Sequence, residues 1–126
     1  MNEQKKPITG KIVWTDLTVP NATEVKDFYQ SVVGWQAQAV PMGDYEDFSM
    51  SASDGKTVSG ICHTKGANAG IPAQWLIYLT EDNLDSSLEE VKRLGGCLVA
   101  GPKANGDGRY AIIKDPAGAV CALYQG

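Results

Sequence analysis

Two stretches of this chain run in step. "WTDLTVPNATEVKDFYQSVVGW" (14–35) and "WLIYLTEDNLDSSLEEVKRLGG" (75–96) each open on Trp and continue as a strand-like run. Each then passes through Asn and acidic residues and ends in an apolar-periodic segment stopped by Gly. An offset of 61 carries Trp14 to Trp75, Gly34 to Gly95, and Asp54 of "SDGK" to Asp115 of "DPAG". Three landmarks at one offset, with the same order of elements between them, identify a duplicated unit, and duplication restricts the fold to one built from two similar halves.

The unit itself reads β-α-β-β-β. "KIVWTDLTV" (11–19) is rich in β-branched and aromatic residues and predicts a strand. Asn21 with Glu24 three residues on is a capping-box pattern. Val25, Phe28, Tyr29, Val32 and Val33 then recur with helical spacing, predicting one apolar face, and Gly34 supplies the stop. Three strands follow, near 35–40, at 45–52 and at 56–64, with "SDGK" turning between the last two. In the second half "QWLIYLT" is a strand, and Asp82 or Asn83 caps a helix with Leu84, Leu88, Val91 and Leu94 on its apolar face. Strands at 97–101, 109–115 and 119–125 complete it. The expected fold is therefore α+β, a single domain of two tandem βαβββ modules, about 11–64 and about 74–125, with a Gly/Ala-rich linker at about 65–73. "GPKANGDGRY" (101–110) reads as a hairpin connection, with a lid over a ligand as the alternative.

Composition excludes some function classes. A net charge of −4 without a Lys/Arg cluster argues against nucleic acid and against an anionic membrane surface. No stretch approaches the run of about 18 apolar residues that a spanning helix needs, and "MNEQKKPITG" lacks a signal peptide's apolar core, so a cytoplasmic protein is expected. Cys62, Cys97 and Cys121 are odd in number, form no C-x-x-C, and sit in strand-like contexts, which reads as free thiols in a reducing compartment.

With "FYQSVVGW" closing the first helix and "DPAGAV" before the last strand, the paired module resembles the vicinal oxygen chelate superfamily of glyoxalase I, extradiol dioxygenases and bleomycin and fosfomycin resistance proteins. The resemblance covers 11–125. It implies curled half-barrels around a cleft with helices outside, and a homodimer. In metal-using members it also implies four inward ligands, on the first and fourth strands of each module. Those positions fall here on Trp14, Gly60, Trp75 and Ala122, none of which offers a donor, whereas a divalent ion needs three or four N, O or S donors. No metal or other cofactor is expected.

Strand alternation puts Trp14, Asp16 and Thr18 on one face of the first strand, and Trp75, Ile77 and Leu79 on one face of the first strand of the second half. If the Trp positions face the cleft, two indoles and the Asp16 carboxylate suit an apolar, planar or cationic small molecule. The alternative is that both Trp residues fill the core. His63 and Tyr110 are further candidates for acid–base chemistry with Asp16. A Cys62–His63 pair is excluded because strand neighbours point to opposite faces. Asp44, Glu46 and Asp47 beside Tyr45 read as a solvated acidic run. Three functions follow from these residues. One is a metal-independent binder of a small molecule through Trp14, Asp16, Trp75 and Tyr110. The second is a metal-free isomerase or lyase, and the third an accessory domain with a filled cleft.

Overall fold

The βαβββ order occurs twice in the computed structural model, which describes residues 8–126. The first copy comprises β1 (Ile12–Val19), α1 (Ala22–Val33), β2 (Gln36–Pro41), β3 (Glu46–Ser51) and β4 (Thr57–His63). A 3-10 turn at Gly66–Asn68 follows. The second copy comprises β5 (Trp75–Thr80), α2 (Leu84–Arg93), β6 (Cys97–Asn105), β7 (Gly108–Lys114) and β8 (Val120–Gln125). By contacts, Trp14–Leu76 form one compact unit, and Ile77–Gly126 form the other together with residues 8–13.

In the first unit the strand order is β2-β3-β4-β1, antiparallel except for the parallel β4–β1 pair. The second unit repeats it as β6-β7-β8-β5, with β8–β5 parallel. The expected α+β class and duplicated module are both present.

Each sheet packs one face against its helix. In the first unit Leu17 pairs with Ile61 and Ile61 with Phe48, and these join Met50 and Val19 beneath Val25 and Tyr29 of α1. Met50 and Ile61 are fully buried, and each such side chain contributes roughly 1.5–3 kcal/mol relative to exposure. The second core repeats the pattern: Leu79 pairs with Leu123 and Leu123 with Ala111, beneath Leu84, Leu88 and Val91 of α2. Ala22 and Leu84, the first residues of the two helices, are both fully buried.

The helix ends differ in detail from the sequence reading. Gly34 does adopt the left-handed conformation (φ 75°) and donates its N–H to Gln30, as a C-terminal stop requires. Asn83 caps α2 by accepting from the Ser86 N–H at 3.1 Å. The capping box at Asn21 does not form; its amide donates instead to the Glu24 carboxylate at 3.4 Å. The predicted apolar face of α1 is only half used. Val25 and Tyr29 pack inward, while Phe28, Val32 and Val33 are all more than half exposed. The 101–110 segment is a hairpin, since β6 runs to Asn105 and pairs it with Gly108 across a two-residue turn.

Candidate functional site

The two faces of β1 carry different chemistry. Leu17 and Val19 belong to the core beneath α1, so Trp14, Asp16 and Thr18 lie on the opposite face by strand alternation. Register adds β4 to this second face. Asp16 pairs with Gly60 and Thr18 with Cys62. A Cβ built on Gly60 would lie 3.6 Å from the Asp16 Cβ and 3.9 Å from the Cys62 sulfur, so the three positions are neighbours on one surface.

Asp47 joins them. The acidic run was expected to be solvated, yet Asp47 is only 6% exposed and its carboxylate accepts the His63 backbone N–H at 2.8 Å. The reason is alternation on β3: Phe48 enters the core, which turns Asp47 to the face carrying Cys62. The Cys62 thiol is pushed up to about 12, first by burial and then by the charges of Asp16 and Asp47, the latter also accepting its hydrogen bond. It is therefore a neutral thiol at physiological pH, with no nucleophilic thiolate to offer.

The remaining candidates are dispersed. Trp14 is half-buried on the face described. Trp75 is not its counterpart. It packs into the core beside α1, with its ring 5.4 Å from Tyr29 and 5.9 Å from Trp35, and its Nε1 donates to the Tyr29 hydroxyl at 3.2 Å. The strand registers explain this. Leu17–Ile61 and Leu79–Leu123 are the equivalent core pairs, so the strands match at an offset of 62, whereas the two tryptophans are 61 apart. One residue of difference turns a strand side chain to the other face. The strand position equivalent to Trp14 is Leu76, which is fully buried, and that equivalent to Asp16 is Tyr78.

In the second unit Tyr110 pairs with Tyr124 and Tyr78 with Ala122, on the face turned away from the Leu79–Leu123 core. The rings of Tyr78 and Tyr110 lie 6.1 Å apart. Tyr78 was missed in the sequence because it falls one residue off the repeat set by the tryptophans. His63 sits at the end of β4, its ring edge-on to Tyr45 at 5.5 Å, beside a hollow of about 450 Å³ also lined by Thr23, Pro41 and Glu46. Its Nδ1 lies 3.4 Å from the Asp47 carboxylate, within ion-pair reach, but it is not aligned for a hydrogen bond and is otherwise unpartnered.

The donor set does not suit a metal. Trp14, Gly60, Ala122 and Leu76, the strand position equivalent to Trp14, provide no ligating atom, and neither does Trp75. Among the described residues no group of three or more His, Cys, Asp or Glu is placed to hold an ion. No helix among them is long and apolar enough to cross a membrane.

Residues 11–123 match the model of the glyoxalase/bleomycin resistance protein/dioxygenase superfamily. The anthracycline biosynthesis protein DnrV of Streptomyces peucetius is 32% identical over 132 residues, covering 92% of this chain and 47% of that protein. DauV of Streptomyces sp. strain C5, also an anthracycline biosynthesis protein, is 30% identical with the same coverage. The chain thus spans about half the length of these curated relatives. Among solved structures, a superfamily member from Vibrio splendidus superposes with a TM-score of 0.59 at 11% identity, over 94% of this chain and all of that one. Methylmalonyl-CoA epimerase of Streptomyces coelicolor, in complex with 2-nitronate-propionyl-CoA, gives 0.56 at 12%, over 94% and 99%. At such identities the likeness is one of fold.

Proposed function

The chain belongs to the glyoxalase/bleomycin resistance protein/dioxygenase superfamily, and from that membership we propose that it is a metal-independent binder of a planar aromatic or cationic small molecule. The observation that carries this reading is the β1–β4 face, where the Trp14 indole lies on the same surface as the carboxylates of Asp16 and Asp47. An aromatic wall gives a flat apolar ligand its contact area, and a nearby carboxylate favours positive charge or a hydrogen-bond donor. Trp75 has no direct part in this reading; it holds the core beside α1.

Two relatives are named for anthracycline biosynthesis, and anthracyclines are polycyclic aromatic compounds, which supports the planar ligand class. Binding is favoured over catalysis because Cys62 keeps its proton and the His63 ring lies edge-on to Tyr45 at the end of β4, its Nδ1 not aligned to hydrogen-bond Asp47. A homodimer accompanies the proposal, with the exposed Phe28, Val32 and Val33 of α1 as the surface it would cover. The test is a thermal-shift screen of planar aromatic compounds against metal-stripped protein, since a specific binder raises Tm with concentration over its Kd. A hit whose affinity falls in Asp16→Asn, more at low salt than at high, supports the reading. Affinity indifferent to Asp16→Asn and Trp14→Phe alike would overturn it.

A further inference from the structure

The duplication carries information about a second place in the molecule. In the first unit the ground beside the end of α1 is filled by aromatic rings, Tyr29 and Trp35 with centroids 5.6 Å apart and Trp75 against both. In the second unit the corresponding core is aliphatic, with Leu88 and Val91 of α2 over Ile113 and Leu123. A hollow of about 450 Å³ remains there, open at the surface and floored by Val91, Gly96, Ile113 and Leu123. This size is within the range of small-molecule sites.

The missing ring can be traced to one position. Gly34 and Gly95 both adopt positive φ (75° and 94°) at the ends of their helices, so Trp35, which follows Gly34, corresponds to Gly96. Gly96 cannot carry a side chain, because a Cβ there would lie 2.6 Å from the Lys114 carbonyl and 3.0 Å from Val91 Cγ1. Where the first unit has an indole against Tyr29, the second has bare backbone against Val91. Leu94 is left 60% exposed at the rim.

We infer that this hollow is a second binding site, which takes a planar aromatic group of indole or phenol size from a small molecule bearing a donor or ammonium substituent. The ring class follows from what fills the same ground in the first unit. The substituent follows from the rim, where Glu81, Glu90 and Asp115 stand with Lys114 and Glu90 is ion-paired with Arg93, so that one net negative charge remains and a carboxylate-bearing ligand is disfavoured. Glu81 already accepts from the Ser87 hydroxyl at 3.0 Å, which orients one acceptor at the edge of the hollow. The site stands on the helix side of its sheet and does not depend on the β1–β4 face.

The test is a titration of the isotope-labelled full chain with indole, tryptamine and indole-3-acetate, followed by amide NMR. The expected result is saturable shifts centred on Val91, Gly96 and Ile113, with tryptamine binding about tenfold tighter than indole-3-acetate at low salt. Val91→Phe fills the hollow from within and is expected to abolish those shifts while the protein stays folded. Should that variant misfold, Glu90→Lys at the exposed rim keeps the fold and is expected to erase the preference for tryptamine. No saturable shift with any probe would overturn the proposal. So would shifts confined to Trp14 and Asp16, which would leave the first site standing, and so would binding unaltered in a folded Val91→Phe protein.

Discussion

Two residues hold much of the chemistry, Asp47 and Cys62. Asp47 satisfies the buried His63 N–H and the Cys62 thiol together. Asp47→Ala leaves that N–H unpaired in the interior and is expected to cost about 1–3 kcal/mol in urea unfolding, while Asp47→Asn, which keeps an acceptor, costs less. Cys62 sets an alkaline limit. Its thiol ionises near 9.0 in an ordinary environment and near 12 in the fold, so the folded state holds the proton more tightly than the unfolded chain. The stability it contributes is complete below pH 9.0 and is lost as pH climbs toward about 12. Cys62→Ala should flatten the alkaline fall of Tm between those values. A thiol reagent at pH 8 should modify exposed Cys97 well before Cys62. Trp75→Ala should cost about 3 kcal/mol as a core truncation, whereas Trp14→Phe, outside that core, should leave Tm nearly unchanged.

The elements show which sequence signals survive folding and which do not. Asn83 caps α2 and Asn21 does not cap α1, so Asn83→Ala is expected to cost about 1 kcal/mol in thermal or urea unfolding and Asn21→Ala close to nothing. The helix stops at Gly34 and Gly95 were legible because only left-handed backbone demands glycine there. The strands were legible from β-branched content to within a few residues. Their facing was not. Side chains on a strand alternate with period two, and the tryptophan landmarks recur at 61 while the strands recur at 62, so Trp75 landed in the core and Tyr78 escaped notice. The same alternation, applied from Phe48, would have brought Asp47 in from the assumed surface.

At the scale of the molecule the duplication is the main legible fact, since landmarks half a chain apart need no knowledge of contacts. The contents of the two halves were less legible, because side chains diverge and the offset itself changes by one residue along the repeat: Trp35 stands against Gly96 at 61, Asp16 against Tyr78 at 62. The exposed half of the α1 stripe, Phe28, Val32 and Val33, has a helical period that cannot distinguish a core from an interface. Light scattering at micromolar concentration is expected to report a dimer, and Phe28→Glu to shift it toward monomer without lowering secondary-structure content; a monomeric parent protein would refute the dimer. The central claim, ligand binding without a metal, is tested most directly by calorimetric titration of a planar aromatic hit from the screen into the protein with and without EDTA. The account predicts the same Kd in both, weakened by Asp16→Asn. Binding that EDTA abolishes and an added divalent ion restores would contradict it.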